Sequence, residues 1–333
     1  MVLEISMEKT RKIKPHIVAV VAIFLLGSTL MNPARATGSM NLLDLLLPPL
    51  FALALLLFFA WIYNKHPDLD FFEILNRRLG KVFGRLATLV FCIFAIFTAT
   101  ITAADFAHEI SLHALQRVPP LLIVVLVMLL ALYLTSKGGA TMARISVLLL
   151  VAVLGIITVI IALSAHNYVW ANLTSIGRIR ENSNLVSRII LYGQMIIPFM
   201  LLPFIMREEN ERHCIRSSCL VGYGGGILLI VVMSFHNILI LGVDAYASVH
   251  YPTVVTAGVI MAGDFLQRLE AFALGISVPL AVIKLSICLC VAAKGMNAII
   301  GKKELVREMR EKGIVLPAAL VSAVIFVAMI FVL

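Results

Sequence analysis

Apolar stretches of about twenty residues punctuate this chain from end to end, and that repetition limits what it can become. A helix needs about 20 largely apolar residues to cross the hydrocarbon of a bilayer. Runs of that kind recur near 16–34, 42–62, 86–110, 119–136, 144–164, 188–206, 218–242, 264–294 and 314–333. A soluble domain is about 45–50% apolar and about 25% charged. Here the figures are 61% and 14%, so no water-soluble fold of 333 residues would hide this much apolar surface. Inside lipid each backbone polar group must be satisfied within the chain, which favours helices. The expectation is therefore an all-α polytopic membrane protein, a single membrane domain over 1–333 with about nine spans. The first run follows Lys9, Arg11, Lys12 and Lys14, as a signal peptide would. No small-residue cleavage site clearly follows it and many spans come after, so it is expected to stay in the mature protein.

The net charge of +9 could suggest a nucleic-acid partner. That class is excluded because the basic residues lie in short segments between apolar runs, where they set membrane orientation. With the N-terminus inside, the inner segments carry Lys65, Arg77, Arg78, Lys81 and Arg85, then Lys137 and Arg144, then Arg207, Arg212 and Arg216. The last inner segment adds Lys294 and the basic residues of 301–313. The outer segments hold only Arg35, Arg117, Arg178, Arg180 and Arg188. The N-terminus is thus expected in the cytoplasm and the C-terminus outside. The five cysteines form no metal-ligand or disulfide framework. Cys92, Cys288 and Cys290 fall in apolar runs, and Cys214 and Cys219 in what reads as a basic loop.

Two spans read as interrupted. The first contains Gly27, Ser28, Thr29 and Leu30 before Asn32 and Pro33. The sixth contains Gly193, Gln194, Met195 and Ile197 before Pro198. Each alone is as consistent with a packing glycine and an ordinary proline kink. Together, five helices apart, they point to an inverted-repeat transporter whose ligand site lies at the breaks. The repeats would cover about 16–164 and about 188–333. The stretch 243–263 is too polar to span and is expected to lie as an outer loop with a short helix. The charged segment 301–313 reads as a solvated connector.

No enzyme signature is present: no His-Glu-x-x-His, phosphate loop or nucleophile elbow. No cofactor or metal site is expected. His236 reads as a hydrogen-bonded packing residue. Ionisable residues within spans are the sharper signal, because each is costly in lipid. Asp105 and Glu109 are four apart and share a face with Thr98 and Thr102. They either line a cavity or lie solvated near the outer headgroups. Glu270, Ser277 and Lys284 are spaced by sevens, with Ala273, Ala281 and Cys288 on the same stripe. Arg268 and Glu270 are expected at the outer boundary and Lys284 near mid-membrane. Lys284 either ties the bundle together or carries a functional charge, such as a fixed replacement for a coupling ion near Gly27–Leu30.

Several phrases carry a family resemblance. The first inner loop reads Pro67-Asp68-Leu69-Asp70, then Glu73, Leu79-Gly80-Lys81 and Gly84. Later come Tyr251-Pro252-Thr253, Phe265-Leu266-Gln267-Arg268-Leu269-Glu270 and Lys284. Over nearly its whole length the chain resembles the spore germination permeases, the B-type subunits of nutrient germinant receptors, within the amino acid–polyamine–organocation superfamily. The resemblance implies a five-plus-five inverted repeat. It also implies a membrane subunit that senses a small nutrient, usually an amino acid, in the cell or spore inner membrane. Two companion subunits, a large membrane subunit and a lipoprotein, are implied with it. A secondary transporter for an amino acid or organic cation, coupled to H⁺ or Na⁺, is the competing expectation. The chain departs from the family pattern at two places. It reaches Leu333 at the end of the ninth run, where relatives usually have ten, so the second repeat is expected to be incomplete. Gln194 and Met195 stand where relatives often carry an acidic side chain.

Overall fold

The computed structural model describes residues 14–30, 71–175, 215–259 and 270–300, with isolated positions between 53 and 61 and at 322 and 325. Its helices are α1 (Pro15–Leu30), α2 (Phe71–His113), α3 (Pro120–Ser136), α4 (Gly139–Ser164), α5 (Ile215–Leu241), α6 (Val243–Ser248), α7 (Pro252–Val259) and α8 (Glu270–Ile300). Two 3₁₀ turns, Ala165–Asn167 and Trp170–Ser175, follow α4. Every regular element among the described residues is helical, as lipid requires of a spanning chain. Among the described residues four helices are long and apolar enough to cross a bilayer, within Phe71–His113, Thr141–Asn167, Ser217–Leu241 and Glu270–Ile299. Pro15–Gly27 and Pro120–Ser136 are shorter apolar helices. The chain is a polytopic membrane protein. The sixth apolar run, 188–206, lies outside the described residues, as do Arg268 and the segment 301–313.

Burial separates the centre of the bundle from its lipid-facing rim. In the most apolar stretch of α8, 83% of residues are buried, against 22% for the α4 span. α8 packs most extensively on α2 and also touches α1, α3, α4 and α7. α1 lies mainly against α5, with α4 and α8 on its other sides. The rim keeps its apolar side chains exposed, as at Phe97 of α2, Leu129 of α3, Leu148 of α4 and Leu228 of α5. That pattern suits lipid, which is as apolar as leucine and leaves packing to small residues at helix interfaces. Gly222 and Gly226 on α5 are such residues. A Cβ on Gly222 would come within 2.6 Å of the Val18 carbonyl oxygen, and one on Gly226 within 2.8 Å of Leu25. The Gly222-x-x-x-Gly226 spacing is thus where α1 docks.

Several local expectations change. The first inner loop is largely helical: Phe71–Leu79 forms a helix of its own, joined to the span at Gly80 (φ 78°, ψ 170°). A left-handed φ of this size is open chiefly to glycine. Phe71, Phe72 and Ile74 are buried, and Phe72 fits against Gly295 of α8, so burial of one face holds this segment. Gly84 permits the sharp turn, since a Cβ there would meet the Asn76 backbone at 2.6 Å. Cys219 belongs to α5 rather than to a loop and is buried. The polar stretch after α5 forms two short helices, α6 and α7, rather than one.

Candidate functional site

The sequence places its costly polar groups on α2 and α8, and the fold brings those two helices into their largest contact. α2 and α8 meet so that Ser277 donates its hydroxyl to Glu109 Oε1 at 2.7 Å. Glu109 is only 2% exposed, so its side chain is packed inside the protein rather than solvated. A hydrogen bond to a carboxylate contributes about 1.5–3 kcal/mol. One turn toward mid-helix, Asp105 is half-buried, and Tyr251 donates to its backbone carbonyl at 3.1 Å. Asp105 is close enough to act electrostatically on both Glu109 and Lys284. Thr98 and Thr102 are buried on the same side of α2, but their hydroxyls turn back to the carbonyls of Phe94 and Thr98. They satisfy acceptors of their own helix.

Lys284 is 2% exposed, in the middle of α8. Its Nζ donates to the Gly27 carbonyl oxygen at 3.5 Å, a long hydrogen bond across to α1. Gly27, Ser28, Thr29 and Leu30 are helical, and the described part of α1 stops at Leu30. The interruption expected within Gly27–Leu30 is therefore not found in those four residues, and Met31 onward lies outside the described residues. The contact still has a physical basis. A hydrogen bond from a charged donor contributes about 1.5–3 kcal/mol. A lysine at mid-membrane costs about 2.5–3.5 kcal/mol on insertion scales. The hydrogen bond to Gly27 therefore offsets part of that cost. A Cβ at Gly27 would sit 3.4 Å from the Leu280 carbonyl oxygen, an ordinary contact.

Glu270 opens α8, with its carboxylate beside Gly258 of α7. Ala273, Ser277, Ala281, Lys284 and Cys288 are all buried. Of the other sequence-selected residues, Gly193, Gln194, Met195, Ile197 and Arg268 lie outside the described residues. Sequence reading missed Tyr251 as more than a family phrase. Its ring faces His108, His113 and His250 at centroid distances of 6.1, 5.9 and 6.5 Å, and its hydroxyl ties α2 to the start of α7. A tyrosine among three histidines has no periodic signature, so only the fold assembles it. His236 is buried with Nδ1 3.0 Å from the Tyr168 hydroxyl, a packing role as expected. Among the described residues no group of three or more His, Cys, Asp or Glu side chains could hold a metal ion.

Comparison with known proteins decides the lineage. A family model described as spore germination protein, a spore permease, matches residues 12–333. The chain belongs to the spore germination permease family. One curated relative is spore germination protein KB of Bacillus subtilis (strain 168), 23% identical over 274 residues. The alignment covers 80% of this chain and 72% of that protein. The family consists of membrane permease- and receptor-type proteins, not enzymes, and this permease is a germination-related membrane protein. Its family phrases sit at structural joints. Gly80 and Gly84 make the bend that begins α2, and Tyr251-Pro252-Thr253 starts α7 against Asp105 and Asn237.

Proposed function

We propose that this permease is the membrane subunit of a spore nutrient-germinant receptor, which binds a small nutrient, an amino acid, beside the end of α1 and helps trigger germination. It acts with a large membrane subunit and a lipoprotein. Family membership and the germination relative support the setting. The observation that carries the ligand reading is the Lys284 ammonium held on the Gly27 carbonyl between α1 and α8. A buried cation is an anchor for a carboxylate, and the Gly27 carbonyl that now holds it is an acceptor for an ammonium. One zwitterion can therefore satisfy both, displacing a bond that is already long at 3.5 Å. The reading goes with a five-plus-five inverted repeat, the arrangement in which transporter-like folds bind small ligands.

The test is equilibrium binding of the common amino acids to the purified permease in nanodiscs, alone and with its two companions. Binding of one amino acid, lost in Lys284→Met, is expected. If no amino acid binds in either form, the reading fails. Uptake into proteoliposomes by the permease alone, driven by an H⁺ or Na⁺ gradient, would favour a secondary transporter instead.

A further inference from the structure

Glu109 holds a feature that nutrient binding does not use. Oε1 accepts the Ser277 hydroxyl, but Oε2 is buried and meets no hydrogen-bond partner among the described residues. It opens on a cavity of about 10 Å³ lined by Tyr251, Thr253 and Ser277 and otherwise by aliphatic side chains. That is the space of about one water molecule. No Lys, Arg or His nitrogen among the described residues lies within ion-pair distance of the carboxylate. An unpaired carboxylate buried in this way is far costlier than the neutral acid or a neutralised pair.

Three occupants could resolve the imbalance: a metal cation, a counter-charged ligand or a proton. Hard metal cations take about six or more oxygen ligands. Here the Tyr251 hydroxyl is directed to the Asp105 carbonyl and Thr253 Oγ1 accepts from Asn237 Nδ2 at 3.1 Å, which leaves one open carboxylate oxygen. The cavity is too small for an organic ligand. A proton needs only one oxygen, and an acid at Oε2 can donate to a single water while Ser277 still donates to Oε1.

We propose that Glu109 is a proton-binding site, reached through this cavity from the end of the bundle where His108, His113, His250 and Glu270 gather around Tyr251. A hydronium in the cavity gives its proton to Oε2, leaving the carboxylic acid and a water; the reverse step returns the proton to that water and then to bulk solvent. No other bond changes and no oxidant or reductant takes part. The groups that face the site come from each packed element. Asp105 on α2 is near enough to act on the charge of Glu109, Ser277 on α8 and Tyr251 and Thr253 at the start of α7 line its cavity, and His108, His113 and His250 stand around the Tyr251 ring, with Glu270 acting on His113. His113 Nε2 is itself buried and without a hydrogen-bond partner among the described residues, a second relay position toward the surface.

The test is infrared difference spectroscopy of the full-length permease in lipid, titrated in pH with choline as the cation. A carboxylic-acid C=O band present at neutral pH and absent from Glu109→Gln is expected. Ser277→Ala keeps the acid but removes its hydrogen bond, so the same band should shift to higher frequency. That variant decides the matter if Glu109→Gln does not fold. A spectrum in which neither variant alters a carboxylic-acid band would overturn the assignment. Loss of the band when Na⁺ replaces choline at constant pH would also overturn it, because the occupant would then be a metal cation. The readout needs no nutrient, so it stands or falls apart from the receptor reading.

Discussion

Gly222→Ala should loosen α1 from α5, and two neighbouring glycines make the effect separable. The new methyl would sit 2.6 Å from the Val18 carbonyl oxygen and 2.9 Å from Val18 Cα, against 3.4 Å for ordinary contact. Both atoms are backbone, so no rotamer change relieves the clash and α1 must move. Overpacking of this kind costs about 1–3 kcal/mol. Gly224 and Gly225, on the exposed side of the same helix, have nothing within 4 Å of a Cβ. Alanine there collects only the intrinsic preference over glycine, about 0.8–1.0 kcal/mol in favour of the helix. That preference is common to all these sites and cancels in the comparison. Gly222→Ala should therefore fall below Gly224→Ala by about 1–3 kcal/mol. The assay is reversible unfolding of the purified permease in mixed micelles, titrated with a denaturing detergent and followed by helix content and tyrosine fluorescence. The displacement also moves Gly27 relative to Lys284, so nutrient binding should weaken in the same variant. Equal midpoints for Gly222→Ala and Gly224→Ala would refute the close docking of α1 on α5.

Lys284→Met removes a buried charge whose insertion cost is about 2.5–3.5 kcal/mol; it should fold at least as well as the parent yet lose nutrient binding, and a destabilised variant that still binds would make Lys284 a structural tie. Lys284→Arg should bind weakly, because a planar guanidinium does not fit the single Gly27 carbonyl as an ammonium does. Gly27→Leu should abolish binding with protein level near normal, since the added side chain meets the Leu280 carbonyl first at 3.4 Å; unchanged affinity would move the ligand away from α1. Reporter fusions at Leu305 should read cytoplasmic and fusions after Leu333 external; the opposite pattern would reverse the orientation drawn from the loop charges.

The membrane class, the helical secondary structure and the candidate polar stripes were legible in the sequence because each is a local property. Hydropathy over about 20 residues is set by those residues alone, and helical spacing alone puts Asp105 beside Glu109 and Ser277 one heptad above Lys284. The glycine pair Gly222 and Gly226 was equally visible as a spacing, yet its partner was not. Which face of a uniformly apolar helix turns inward is not written in its pattern, since lipid and protein interior are alike in polarity. The tertiary structure therefore decided that α8 is central and that Glu109 is buried on Ser277 rather than solvated. It also decided that Lys284 ends on a carbonyl of α1, 257 residues away in the chain. Phe71–Leu79 shows the same division. Its basic residues announced a membrane edge, but only the surface of α8 at Gly295 gave Phe72 a place to bury and so turned a loop into a helix.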